Sequence, residues 1–174
     1  DAVVAVMALC EVAAYCRHQG ITLCDQMETL FKKYGYYKEG LFTVPLKGQE
    51  GAKKIQSMME QIRTNVPDAV GGLKVLRFRD YRENIIRDCG TGEETATGLP
   101  KSNVLYFELE NDAWCCIRPS GTEPKIKFYI GVKGSDDADA QEKLDALTKA
   151  GEGLAEGFLE LAGKQEGQAP AWTG

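Results

Sequence analysis

The chain has 174 residues, 43% of them hydrophobic, and a formal net charge of −5. That much apolar material supports a packed core and excludes wholesale disorder. An acidic chain lacks the basic face that general nucleic-acid binding requires, so any anion site has to be a local concentration of positive charge.

Residues 2–18 predict a helix with apolar residues on most sides. No basic residue precedes its nearly all-apolar part, residues 2–15; Glu11 interrupts that part, and it is too short to span a bilayer. These residues therefore predict a buried helix, not a signal segment or membrane span. Gly20 ends it, and Thr22-Leu23-Cys24-Asp25 has the form of a capping box. Leu23, Met27, Leu30, Phe31 and Tyr34 then recur on one helical face, up to a stop at Gly35. Two helices without a strand make no independent domain. They predict the end of a preceding domain over residues 1–38, in a piece cut from a longer protein.

Phe42-Thr43-Val44-Pro45-Leu46 predicts an extended segment, with Pro45 excluding a central strand position. Residues 49–64 predict an amphipathic helix with Ala52, Ile55, Met58, Met59 and Ile62 inward. After a turn at Gly71-Gly72, residues 73–79 predict a strand in which Leu73, Val75 and Arg77 alternate with Lys74, Leu76 and Phe78. Residues 88–101, rich in Gly and Thr, predict a mobile loop. Strands follow over 104–109 (Leu105, Phe107 and Leu109 on one face), 113–117 and 125–132, the first two joined by a turn at Asn111-Asp112. Ser135-Asp136 is a fitting N-cap for a last helix, which Gly151, Gly153 and Gly157 are expected to fray. Residues 164–174 predict a disordered tail. The pattern is α+β: a four-stranded antiparallel sheet with helices packed on one face, occupying residues 41–163.

Six cysteines include no CxxC pair, and His18 is the single histidine. Zinc is therefore disfavoured, and free buried thiols in a reducing cytoplasm are expected. Cys115 and Cys116 should point to opposite sheet faces. Arg77, Arg79, Arg82 and Arg87, interleaved with Asp80, Glu83 and Asp88, predict a solvated or interdomain face. Asp137 and Asp139 suit the positive end of a helix better than a metal loop. No metal-binding or catalytic residue is assigned.

One segment stands apart: Ile117-Arg118-Pro119-Ser120-Gly121-Thr122-Glu123-Pro124-Lys125-Ile126-Lys127. Arg118 offers a planar fork of donors that matches two phosphate oxygens. Ser120 and Thr122 add hydroxyls, and Gly121 permits a positive φ and a close backbone approach. Successive amides in such a turn form an anion nest, and two prolines restrict it. Lys125 and Lys127 share a strand face. The same residue types also serve an ordinary hairpin turn. Neither a Walker loop nor a dinucleotide fingerprint is present.

The run from Arg118 to Lys125 closely resembles the phosphate-binding signature of the α-D-phosphohexomutase family, particularly its phosphoglucomutase branch. The resemblance extends to Leu99-Pro100-Lys101-Ser102-Asn103-Val104-Leu105, to Arg79-Asp80-Tyr81 and to Lys33-Tyr34-Gly35-Tyr36-Tyr37. It implies that residues 1–38 close a third domain and that 41–163 form a fourth. It also implies a cytoplasmic parent enzyme that interconverts hexose 1- and 6-phosphates, using Mg2+ and glucose 1,6-bisphosphate supplied or bound elsewhere. The implied phosphate-binding residues are Arg118, Ser120, Gly121, Thr122, Lys125 and Lys127. The implied partners are a phosphosugar and the remaining domains, with neither nucleic acid nor membrane. Without a nucleophile or metal loop, this portion alone is expected to be inactive. A stand-alone anion-binding module is the alternative.

Overall fold

The computed structural model describes residues 1–46 and 48–162. Two helices come first, α1 (Ala2–His18) and α2 (Leu23–Tyr34). The capping box forms as expected: the Asp25 N–H donates to Thr22 Oγ1 at 3.1 Å and the Thr22 N–H donates to Asp25 Oδ2 at 2.8 Å. The expectation that α1 is buried is not met. Only Cys16 of that helix is buried, and Val3, Val4, Val6, Met7 and Leu9 are exposed. No other described element covers its apolar surface.

The rest is a layer of sheet under two helices. The strands are β1 (Tyr36–Pro45), β2 (Ala69–Val70), β3 (Leu73–Asp80), β4 (Ile85–Asp88), β5 (Glu94–Ala96), β6 (Leu105–Leu109), β7 (Trp114–Pro119) and β8 (Lys125–Gly134). They lie antiparallel in the order β1-β8-β7-β6-β3-β4-β5, with β2 paired to β3. The expected four-stranded sheet is therefore corrected to eight strands among the described residues. Four strands of the central run were legible: the apolar residues of β6 and β8 alternate, and turn residues bound β3 and β7. β2, β4 and β5 have 2, 4 and 3 residues, too few to show a period, and β1 was legible only from Phe42 onward. β1 contains Lys38, Glu39 and Gly40, yet it pairs with β8 along its whole length from Tyr36↔Gly134 to Pro45↔Lys125. Pro45 sits on an edge strand, where a missing N–H is tolerated.

The expected mobile loop over 88–101 is likewise corrected. β5 pairs with β4, the Gly90 and Thr91 N–H groups donate to Asp88 Oδ1, and Thr97 Oγ1 donates to Asn84 Oδ1. Strict alternation in β3 fails too. A register shift between Val75 and Arg77 places both Val75 and Phe78 in the core. A bulge of this kind moves the side-chain phase by one residue.

Helices α3 (Gly48–Thr64) and α4 (Asp137–Ala162) cover one sheet face. Ile55, Met58, Met59 and Ile62 of α3 meet Leu105, Phe107, Leu109, Ile117, Ile126, Phe128 and Ile130 in one core. Each large apolar side chain buried there contributes about 1.5–3 kcal/mol. Ala52, expected inward, is exposed. Asp136 caps α4 by accepting from the Asp139 N–H at 2.9 Å. The helix does not break at its glycines. Gly151 is buried, and a Cβ there would stand 3.0 Å from the Phe42 ring, so its bareness lets α4 cross β1 closely. Phe42 in turn stacks on Phe128 at 4.5 Å. The expected tail over 164–174 lies outside the described residues.

Candidate phosphate site

Among the described residues, no helix covers the opposite sheet face. Arg118 is exposed there, paired in register with Lys127 across β7 and β8. Cys115 and Ile117 point the other way, into the core. Between Pro119 and Lys125 the chain reverses in a hairpin loop. Ser120 N–H donates to the Lys125 carbonyl at 2.8 Å, and Lys125 N–H donates to the Glu123 carbonyl at 2.8 Å. The Leu46 N–H, just before α3, donates to the Pro124 carbonyl at 2.8 Å and ties the loop to the start of that helix.

These bonds leave the N–H groups of Gly121 and Thr122 without a partner among the described residues. The hydroxyls of Ser120 and Thr122 are equally unengaged there. Gly121 does not adopt the positive φ expected of it. A Cβ at that position would meet nothing within 4 Å, so neither its φ nor crowding by the described residues requires glycine there. The two prolines, the Ser120–Lys125 bond and the Lys125–Glu123 bond set the turn instead.

The loop forms one wall of a cleft of about 690 Å³. Pro119, Ser120, Gly121, Thr122, Glu123 and Pro124 line one side, and Gly48, Gln49, Ala52 and Gln56 of the first turns of α3 line the other. The helix start brings free amides and a partial positive charge to that wall. Asn103 also lines the cleft. Arg118, Lys125 and Lys127 are not among its lining residues. They stand at the base of the loop on the bare sheet face.

The cations differ in their partners. Lys125 forms an ion pair with Glu123, and that hydrogen bond holds the Glu123 carboxyl below its ordinary range. Arg118 and Lys127 have no ion-pair partner among the described residues. The other basic run is consumed by the fold: Arg77 and Arg79 pair with Glu108, Arg82 with Glu60 and Glu83, and Arg87 with Glu94. Of the acids interleaved in that run, only Asp80 and Glu83 take part in ion pairs, Asp80 binding Arg63 of α3. Asp137 pairs with Lys38, and Asp139 pairs with Lys143. No group of three His, Cys, Asp or Glu side chains among the described residues is placed to hold a metal ion. His18 is exposed. Cys115 is buried and Cys116 half-buried, on opposite faces as expected, but Cys10 and Cys24 are exposed, against the expectation of buried thiols.

Sequence reasoning did not single out Asn103 or the α3 start. Asn103 was visible only inside a longer matching run, and helix and loop are brought together by the pairing of β1 with β8.

An antiparallel sheet with one helical layer, and a hairpin loop facing a helix start across an open cleft, defines an α+β domain. Residues 49–149 match the phosphoglucomutase/phosphomannomutase C-terminal domain family. The chain belongs to that family. It is 36% identical over 147 residues to a phosphoglucomutase of Staphylococcus aureus strain MRSA252, a match covering 84% of this chain and 26% of that protein. Its counterpart in strain MSSA476 is 35% identical over the same length. A solved structure with the same fold is the exocytosis-sensitive phosphoprotein pp63/parafusin of Paramecium, a phosphoglucomutase, in its open form. It superposes with a TM-score of 0.60 at 16% identity, covering 97% of this chain and 29% of that one. The chain thus spans about a quarter of the length of the curated relatives it matches.

Proposed function

We propose that this chain is the C-terminal phosphate-recognition portion of a phosphoglucomutase- or phosphomannomutase-like enzyme that interconverts hexose 1-phosphate and hexose 6-phosphate. The observation that carries the proposal is the loop at 120–122, which lines a cleft with amides and hydroxyls that have no partner among the described residues, and has Arg118 at its base. A phosphate ester seated at Gly121 and Thr122 receives backbone donors from the nest. The Arg118 side chain, anchored beside the loop and free of carboxylates, supplies the charge. Lys127, its neighbour in register, adds to the local positive potential. Lys125 acts mainly through Glu123, keeping that carboxylate from repelling the anion.

Holding the phosphate that is not being transferred fixes the sugar's orientation, and positioning is most of what phosphoryl transfer needs from a protein. The described residues offer no cluster suited to Mg2+, so no step here is assigned to a metal. In the parent enzyme Mg2+ supplies charge neutralisation at the transferred group, together with glucose 1,6-bisphosphate as the bisphosphorylated intermediate. The apolar surface of α1 fits a helix covered by the rest of a preceding domain, with residues 1–38 as its end and 41–163 as the recognition domain.

The test is titration of the chain with glucose 1,6-bisphosphate. Arg118→Ala should weaken binding by about 1.5–3 kcal/mol, the range for hydrogen bonds to charged groups. Equal affinities for wild type and variant would refute the role.

A further inference from the structure

We propose that Asn103 is a further phosphate ligand of this cleft, donating through its side-chain N–H, and that the buried Arg63–Asp80 pair holds it in position. The inference rests on the phosphate-site function proposed above. Asn103 lies in the segment leading into β6, and it lines the same cleft as Ser120, Gly121 and Thr122. Its Oδ1 accepts a hydrogen bond from Arg63 Nη2. A guanidinium has donors and no acceptor, so it fixes which end of the amide it meets. The oxygen faces Arg63, and the NH2 group is turned away with no acceptor among the described residues.

Arg63 is itself held. Its Nε donates to Asp80 Oδ2 at 2.9 Å, with side-chain exposures of 7% and 4% for the two partners. Asp80 is fixed in turn by the Arg82 N–H, which donates to Oδ1 at 2.9 Å. The chain Asp80–Arg63–Asn103 therefore runs from the core to the cleft wall and ends in a pre-oriented neutral donor. A neutral amide on the wall of a cleft also lined by Gly121 and Thr122, whose N–H groups have no partner among the described residues, suits an acceptor-rich anion. Phosphate oxygens are such acceptors, and an isolated ammonium is not.

The decisive variant is Asn103→Asp. It keeps an acceptor for Arg63 and turns that bond into an ion pair, but it replaces the donor with an anionic oxygen. We expect an unchanged or raised Tm, together with at least tenfold weaker binding of glucose 1,6-bisphosphate. Asn103→Ala should lose less, because it removes the donor without adding a charge. In 1H–15N spectra of the labelled chain, saturating glucose 1,6-bisphosphate should shift the Asn103 side-chain amide along with the Gly121 and Thr122 backbone amides. If Asn103→Asp binds as wild type does, or if the two loop amides shift while the Asn103 amide stays in place, the Asn103 proposal is overturned and the loop site stands. If the loop amides do not move, the site itself is refuted, and Asn103's role with it.

Discussion

Asp80→Asn changes one charge in the core and almost no volume, so its effect isolates the buried ion pair. Asp80 is 3% exposed on the core side of β3. Its Oδ2 accepts from Arg63 Nε at 2.9 Å, and its Oδ1 accepts from the N–H groups of Arg82 at 2.9 Å and Glu83 at 3.4 Å. An asparagine keeps the two turn bonds through its amide oxygen. Its NH2 group then faces the Nε–H of Arg63, donor against donor. The guanidinium left behind is only 7% exposed, and its remaining partners, the solvent-exposed Glu60 at 3.3 Å and Asn103, leave its Nε–H without an acceptor. Removing one partner of a buried pair costs ~3–5 kcal/mol. In a chain of this size ~1 kcal/mol moves Tm by about 2–4 °C, so Tm should fall by roughly 6–20 °C. Urea unfolding followed by circular dichroism should show a lower midpoint with an unchanged slope. A loss below ~1 kcal/mol, the level of an exposed surface pair, would refute the reasoning.

Further expectations follow from the titrating groups. Hydrogen bonds from Arg82, its main partner, hold Glu60 below its ordinary value of 4.5. A depressed carboxylate adds stability above that value and loses it as pH falls. The Tm gap between wild type and Glu60→Gln, measured by calorimetry, should be full at pH 6 and should close below about pH 4.5; a gap that widens in acid would contradict the pairing. Burial pushes the Cys115 thiol up to about 12, while Cys10 and Cys24 are exposed. A thiolate-specific reagent at pH 8 should modify Cys10 and Cys24 at once and Cys115 only after denaturation, as read by peptide mass. Fast labelling of Cys115 in the folded chain would show that β7 is open.

The central strands were legible because Leu105, Phe107 and Leu109, and again Ile126, Phe128, Ile130 and Val132, keep the two-residue period of a half-buried sheet. Of the edges only residues 42–45 of β1 were legible, because the first half of β1 and all of β5 are made strands by their partners. Lys38, Glu39 and Gly40 have little intrinsic preference for extended structure, and β8 imposes it on them. The same holds at Gly151, which propensity marks as a weak point and packing against Phe42 turns into a close crossing. At the candidate site, the loop residues could be named from their chemistry alone. Their division between two faces could not, since it depends on the phase of β7: Ile117 faces the core, so Arg118 faces away from it. Asn103 was beyond sequence reasoning for a related reason, because its partner Arg63 lies 40 residues away on α3.

The most direct test of phosphate recognition by this loop is a crystal structure of the chain grown with glucose 1,6-bisphosphate. One phosphate should lie within about 2.7–3.2 Å of the Gly121 and Thr122 nitrogens, with the Arg118 guanidinium turned onto it. A sugar phosphate bound elsewhere while those amides face only solvent would contradict the account.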